Sequence, residues 1–248
     1  MKIYGLLGNP LGHSFSQKYF SEKFKQENIG DCVYQNFETP DLDSKISDLK
    51  SDPNLHGLNV TIPYKTSILS HLDIVSPACN EIGACNCIKI YKDYWKGFNT
   101  DITGFEKTFI PKLRSYHSKS LILGTGGSSK AVAYVLKKLG IEYLFVSRTK
   151  DASLNTVSYS EITQTVMPEY KIVINTTPLG MYPHIDNAPD LPYEFVTAEH
   201  YFFDLIYNPG ITMFLKKAKG EGAAIENGKK MLKIQAEESW RIWNDENL

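Results

Sequence analysis

The chain has 248 residues, 42% hydrophobic and 22% charged, an ordinary balance for a globular protein that buries the core of one large or two ordinary domains. Its 27 basic and 28 acidic residues leave a formal net charge of −1, which argues against a nucleic-acid polyanion as partner. No apolar run approaches the roughly 20 residues that span a bilayer, and the opening MKIYGLLGNPLGHS meets Asn9 and Pro10 too early for a secretion signal, so no membrane partner and a cytoplasmic location are expected.

Residues 2–7 read as a strand, and the loop GNPLGHSFS (8–16) follows it. A helix is predicted from about Ser16 to Asn28, with Tyr19, Phe20 and Phe24 on its apolar face. Ser16 is its expected N-cap. Ser14 and Ser16, two hydroxyls at a helix mouth, can also hold a polyhydroxylated or carboxylate ligand. His13 alone reads as a hydrogen-bonded structural residue. Strand Cys32–Phe37, helix Asp41–Lys50 and strand Leu55–Val60 come next.

In GLNVTIPYK (57–65), Leu58 and Val60 suit a buried strand, Asn59 and Thr61 interrupt it with polar groups, and Pro63 ends it. Lys65 is expected at the start of the next helix, where an ammonium opposes the positive end of the helix dipole. A lysine so placed has either work with a carboxylate or a substrate oxygen, or full solvation. Asn86, in the turn Gly83-Ala84-Cys85-Asn86, is available to hydrogen-bond. Cys85–Tyr91 and Tyr94–Phe98 read as a hairpin joined by Lys92 and Asp93. Of the four cysteines, Cys85 and Cys87 are too close for a simple disulfide scaffold and lack paired zinc-site spacing. Cys32, Cys79, Cys85 and Cys87 are therefore expected to be reduced, mostly buried thiols, with no metal.

GFNTDITG (97–104) ends a strand and leads into a linking helix over residues 102–113. Asp101 can cap that helix, and it lies at the predicted domain seam, the usual place for a substrate cleft. The segment SLILGTGGSSKAVAYVLKKLGIEYLFVSRTK (120–150) then reads as strand, glycine loop, helix, strand and basic tip. Gly124, Gly126 and Gly127, with the small Ser129 third in the glycine pattern, let the backbone approach a pyrophosphate at the helix start. Gly140 stops the helix. An acidic residue about 20 positions on would hold the ribose hydroxyl of NAD. The chain instead offers Ser147, Arg148, Thr149 and Lys150, donors suited to a phosphate, which favours NADP over the alternative of a solvated basic turn.

Ile172–Asn175 and Tyr201–Ile206 are further strands for the same sheet, with Asn175, Thr176 and Tyr207 at strand ends where open α/β sheets bind ligands. A final helix over 229–245 aligns Met231, Leu232, Ile234, Ala236, Trp240, Ile242 and Trp243 and is expected to return to the N-terminal domain. Gln235 sits among these apolar neighbours and needs polar partners, which a ligand can supply. The fold class expected is α/β in two domains. Residues 1–101 plus 229–248 form a substrate-binding catalytic domain, and residues 102–228 form a Rossmann-like nucleotide-binding domain.

Taken in order, these segments resemble the shikimate dehydrogenase family, nearly end to end from Gly8 to Trp243. The shared motifs are S-x-S (14–16), N-V-T-x-P-x-K (59–65), N-T-D-x-x-G (99–104), G-x-G-G-S-S (124–129), S-R-T (147–149), D-x-x-Y-x-P (204–209) and M-L-x-x-Q-A (231–236). The resemblance implies that Ser14, Ser16, Asn59, Thr61, Asn86, Asp101, Tyr207 and Gln235 line a shikimate pocket. It matches Lys65 with Asp101 to the family's catalytic pair. It places NADP against Gly124, Thr125, Gly126, Gly127, Ser128, Ser129, Ser147, Arg148, Thr149, Lys150, Leu205 and Gly228. The implied reaction is reversible NADPH-dependent reduction of 3-dehydroshikimate, a small-molecule substrate, by a monomer or homodimer. The chain departs from the family pattern at Gln17, Tyr19, Phe20, Cys87 and Ser147, none of them a catalytic group. A broader quinate/shikimate dehydrogenase and a catalytically silent NADPH-binding regulator are the alternatives.

Overall fold

Strands β1 (Lys2–Gly8), β2 (Cys32–Glu38), β3 (Leu55–Val60), β4 (Ile74–Val75), β5 (Cys87–Ile90) and β6 (Trp95–Phe98) form one sheet in the order β2-β1-β3-β5-β6-β4. In this computed structural model, which describes residues 1–12, 14–149 and 155–248, that sheet belongs to a compact unit made of Met1–Thr100 and Ala236–Leu248. β1 runs parallel to β2 and β3, and β5 lies antiparallel between β3 and β6. The hairpin expected at Lys92-Asp93 is present, closed by Tyr91 N–H to Tyr94 O at 2.9 Å.

Alternation along β1 sorts its side chains to opposite faces. Leu7 joins Leu58, Val60, Ile68 and Ile88 with helix α2 (Leu42–Lys50) on one side. Tyr4 and Leu6 join Phe20 and Phe24 of helix α1 (Phe15–Gln26) with Ala236, Ile242 and Trp243 on the other. Phe20 stacks on Tyr34 at 4.5 Å between ring centroids, and Tyr4 lies 4.9 Å from Trp243. Position 57 must be glycine here because the Trp243 indole occupies the space of a Cβ. That indole N–H donates to Ile88 O at 2.9 Å.

Two local expectations are corrected in this unit. Ser16 is not the N-cap of α1. The helix begins at Phe15, Ser14 holds the cap position without a side-chain capping bond, and Ser16 is turned inward and buried. Lys65 does not open an α-helix either. It lies in a turn over residues 62–66, ahead of a short 3₁₀ segment, Ser67–His71, so the dipole that would oppose its charge is slight. The short helix α3 (Pro77–Ile82) leads on toward β5.

The second unit, Asp101–Gln235, opens with helix α4 (Asp101–Phe109), of which Asp101 is the first residue. Strands β7 (Lys119–Leu123), β8 (Glu142–Val146), β9 (Thr156–Val157), β10 (Ile172–Asn175), β11 (Tyr201–Asp204) and β12 (Ala224–Glu226) form an all-parallel sheet in the order β12-β11-β10-β7-β8-β9. Both faces are covered. Helices α4 and α5 (Gly127–Lys138) lie over Ile122, Ile174, Tyr201 and Phe203, and helix α6 (Met213–Gly220) packs with Leu121, Leu123, Val173 and Phe202 on the other side. Strands buried on both faces must be apolar throughout, which is why they read as runs rather than alternations. Helix α7 (Lys229–Asn244) begins in this unit and ends in the first. Among the described residues no helix is long and apolar enough to cross a membrane. Cys32, Cys79, Cys85 and Cys87 carry free thiols, and all but Cys32 are buried.

Candidate functional site

In the first unit the sheet gathers the polar residues singled out by sequence at the ends of β1 and β3 and the start of β5. Thr61 follows β3, its N–H bound to Leu7 O at 2.9 Å, and its own carbonyl accepts Tyr64 N–H at 2.9 Å. Tyr64 then anchors the turn by donating its hydroxyl to Thr39 O at 2.6 Å. Lys65 is tied at its backbone, where its carbonyl accepts Cys85 N–H at 2.7 Å. One bond thus sets the lysine turn directly against the residue before Asn86. Asn86 is itself fixed, since its carbonyl accepts Val60 N–H at 2.9 Å and its side-chain oxygen accepts Thr100 N–H at 2.6 Å. Asn59 and Asn86 are only 4% and 3% exposed.

Ser14 and Ser16 differ in state. Ser16 is buried, 7% exposed. The Ser14 hydroxyl oxygen is buried and meets no partner among the described residues. Buried hydroxyls are rarely left so, and a ligand oxygen is the kind of group that completes them. His13 lies outside the described residues.

In the second unit, pairing register does the positioning. Val146, Leu123, Asn175 and Asp204 stand side by side across β8, β7, β10 and β11. The strands are parallel, so the next residues, Ser147, Gly124, Thr176 and Leu205, share one sheet edge at roughly 4.8 Å per strand. Gly124 takes φ +100, and a Cβ there would come within 3.0 Å of Thr176 Oγ1 and Thr177 Cγ2. Thr176 is clamped, donating both its hydroxyl (2.6 Å) and its N–H (3.0 Å) to Leu123 O.

Gly126 caps α5 and has no side chain to make a capping bond, and no acidic residue stands in the first turn. Thr125, Gly127 and Ser128 lie half-buried around it. Ser129, fully buried, donates to Gly126 O at 2.6 Å, which explains a small residue at the third position. The positive dipole end of a helix favours an anion. Ser147 N–H binds Val157 O at 3.0 Å, Ser147 Oγ accepts Thr149 N–H at 3.3 Å, and Arg148 is exposed between them. Lys150 lies outside the described residues. Leu205 N–H binds Asn175 O, and Gly228 N–H binds Ile206 O, each at 3.0 Å. These groups fit a dinucleotide carrying an extra phosphate, with the pyrophosphate at α5 and the phosphate at Arg148.

Asp101, Tyr207 and Gln235 also lie in this unit. Asp101 is buried, the other two half-buried. Gly104, one turn past Asp101, allows α7 to approach α4, for a Cβ there would stand 2.8 Å from Met231 O and 3.1 Å from Gln235 Cβ. Asp101 and Gln235 therefore come from closely packed helices. Sequence reading missed the role of Asp204. Its carboxylate accepts Thr212 Oγ1 at 2.6 Å, and Asn175 Nδ2 and Ile206 N–H at 3.0 Å each. Burial pushes its pKa up to about 7 against the pull of those three donors. An acid closing the apolar run YFFD was the available signal.

Residues 6–88 match the model of the shikimate dehydrogenase substrate binding domain. A shikimate dehydrogenase (NADP(+)) of Caldanaerobacter subterraneus subsp. tengcongensis is 33% identical over 99% of this chain and 92% of its own length. One from Methanosphaera stadtmanae is 36% identical over 97% and 90%. Among solved structures, a shikimate 5-dehydrogenase of Thermus thermophilus, in complex with NADP(H) and shikimate, superposes with a TM-score of 0.86 at 29% identity, covering 98% of this chain and 94% of that one.

Proposed function

This chain belongs to the shikimate dehydrogenase family, and on that premise we propose that it catalyses the reversible NADPH-dependent reduction of 3-dehydroshikimate to shikimate, in aromatic amino-acid biosynthesis. It acts in the cytoplasm as a monomer or homodimer. The observation that carries the reading is the sheet edge of the second unit, where the glycine-capped start of α5 stands one strand from the Ser147-Arg148-Thr149 turn, with Leu123 and Val146 in register.

When bound, NADPH supplies the hydride. The residues of the chain do the rest. The α5 N–H groups hold the pyrophosphate, and Arg148, with Ser147 and Thr149, grips the ribose phosphate. Lys65 stabilises the negative charge that develops on the ring oxygen and delivers its proton, directly or through water. Its backbone carbonyl accepts Cys85 N–H, which fixes the turn that carries it. Asp101 binds a ring hydroxyl. Ser14, whose hydroxyl meets no partner among the described residues, Ser16, Asn59, Thr61, Asn86, Tyr207 and Gln235 complete substrate binding.

The test is an absorbance assay of purified protein with shikimate or quinate, paired with NADP or NAD. Fastest turnover with shikimate and NADP is expected. Preference for quinate with NAD would assign a different specificity, and absence of turnover with every pair would remove the catalytic reading.

A further inference from the structure

Five buried polar side chains of the first unit form one hydrogen-bonded string, and the direction of the links at Asn59 can be derived. The Asn59 Nδ2 group donates to Asn86 O at 3.2 Å and to Ser239 Oγ at 2.8 Å. A backbone carbonyl only accepts, so the bond to Asn86 O fixes which end of the Asn59 amide is nitrogen. Asn59 Oδ1 then faces Tyr34 and accepts its phenolic proton at 2.9 Å. At the other end Thr100 Oγ1 donates to Asn86 Oδ1 at 3.2 Å and stands 3.3 Å from Ser239 Oγ, which joins the two ends. The order is Tyr34, Asn59, Ser239, Thr100, Asn86. Ser239 and Thr100 are 0% and 1% exposed.

We propose that Tyr34 and Ser239 are positioning residues of the substrate pocket, holding the Asn59 amide in one orientation and through it the Asn86 backbone carbonyl to which Asn59 donates. The proposal rests on the shikimate reading above. Asn86 Oδ1 accepts both the N–H and the hydroxyl of Thr100, at 2.6 and 3.2 Å, which fills its two lone pairs. Any hydrogen bond from Asn86 to a ligand is therefore one that Asn86 donates. If Ser239 loses its hydroxyl, Asn59 keeps an unmet buried N–H and its amide loses a restraint, while the Thr100 backbone N–H still holds Asn86 Oδ1. Burial holds the Tyr34 phenol well above its ordinary pKa and the neighbouring Cys87 thiol up to about 12. The string stays protonated and neutral across the working pH range.

Tyr34→Phe and Ser239→Ala test this, with Ser239→Thr as the variant that keeps the hydroxyl and Ser120→Ala as a control. Ser120 is equally buried, and its hydroxyl meets no partner among the described residues. Shikimate Kd is measured by calorimetric titration, and kcat and KM for both substrates by absorbance. Tyr34→Phe keeps the ring that stacks on Phe20 and so keeps the fold. Each of the first two variants is expected to raise shikimate Kd and KM about tenfold, the worth of one buried hydrogen bond with its partner left unmet. NADP KM should stay unchanged, the loss should be constant from about pH 6 to 9, and Ser239→Thr should restore binding. In the double variant the losses should fall short of additive, because both act on Asn59. Shikimate Kd within about twofold of the unaltered protein in both variants, with only the melting temperature lowered, would overturn the proposal. Turnover by the unaltered protein decides the underlying reading separately.

Discussion

Thr212 donates its hydroxyl proton to Asp204 Oδ2 at 2.6 Å, and through that bond the end of β11 meets the start of α6. The same Thr212 oxygen caps α6 by accepting Leu215 N–H at 3.3 Å. Burial raises the Asp204 pKa from 3.8 to about 7 in the fold. An acid whose folded pKa is raised favours folding when it carries its proton. Its contribution is complete below the unfolded value and is lost as pH climbs through the folded one. Stability to urea should thus fall by about 1.4 kcal/mol per pH unit from this group between about pH 4 and 7. Asp204→Asn should flatten that slope in a series of urea melts.

Arg148→Ala should separate the two nicotinamide cofactors. The guanidinium is exposed at the end of β8 and offers a multi-donor fork to a phosphate. Its loss should raise the NADP KM about tenfold to a hundredfold, leaving the NAD KM within about threefold. Steady-state kinetics with both cofactors checks this.

Lys65→Met should lower kcat at least about a hundredfold while shikimate Kd moves by no more than a few fold. The turn itself should survive, because Cys85 N–H binds the backbone carbonyl of residue 65 and not its side chain. Equal turnover in this variant would exclude Lys65 from the chemistry.

Gly57→Ala should destabilise the first unit by about 1–3 kcal/mol, since a single methyl there meets the Trp243 indole. Thermal melts should show the loss, and Trp243→Leu in the same chain should recover part of it by making room.

Most of the layout is legible in the amino-acid order alone. Long runs with clear period, such as Lys2–Gly8, Leu55–Val60 and Gly127–Lys138, form near their expected bounds because a single burial pattern governs each. The two-residue strands β4 and β9 are not legible, since two residues carry no period. Ser16 departs from its expected cap because capping preference is a local signal, and burial of its side chain in the fold overrides it. Lys65 departs for a related reason, as a turn anchored by Tyr64 and Cys85 replaces the helix that spacing suggests. Tyr34 and Ser239 look like ordinary strand and helix residues. Their importance lies in bonds between segments 180 positions apart, as in the Asn59–Ser239 pair, and no local pattern encodes them.

The aromatic layer around Tyr4, Phe20 and Phe24 is finished by Ala236, Ile242 and Trp243. During synthesis these partners leave the ribosome only after the whole second unit. That unit is one uninterrupted stretch and has all its own residues beforehand. A nascent chain therefore carries an open, oily N-terminal half until the codons past residue 235 are translated. A frameshift or stop codon near residue 236 would leave that half permanently uncovered and a ready target for chaperones and proteases.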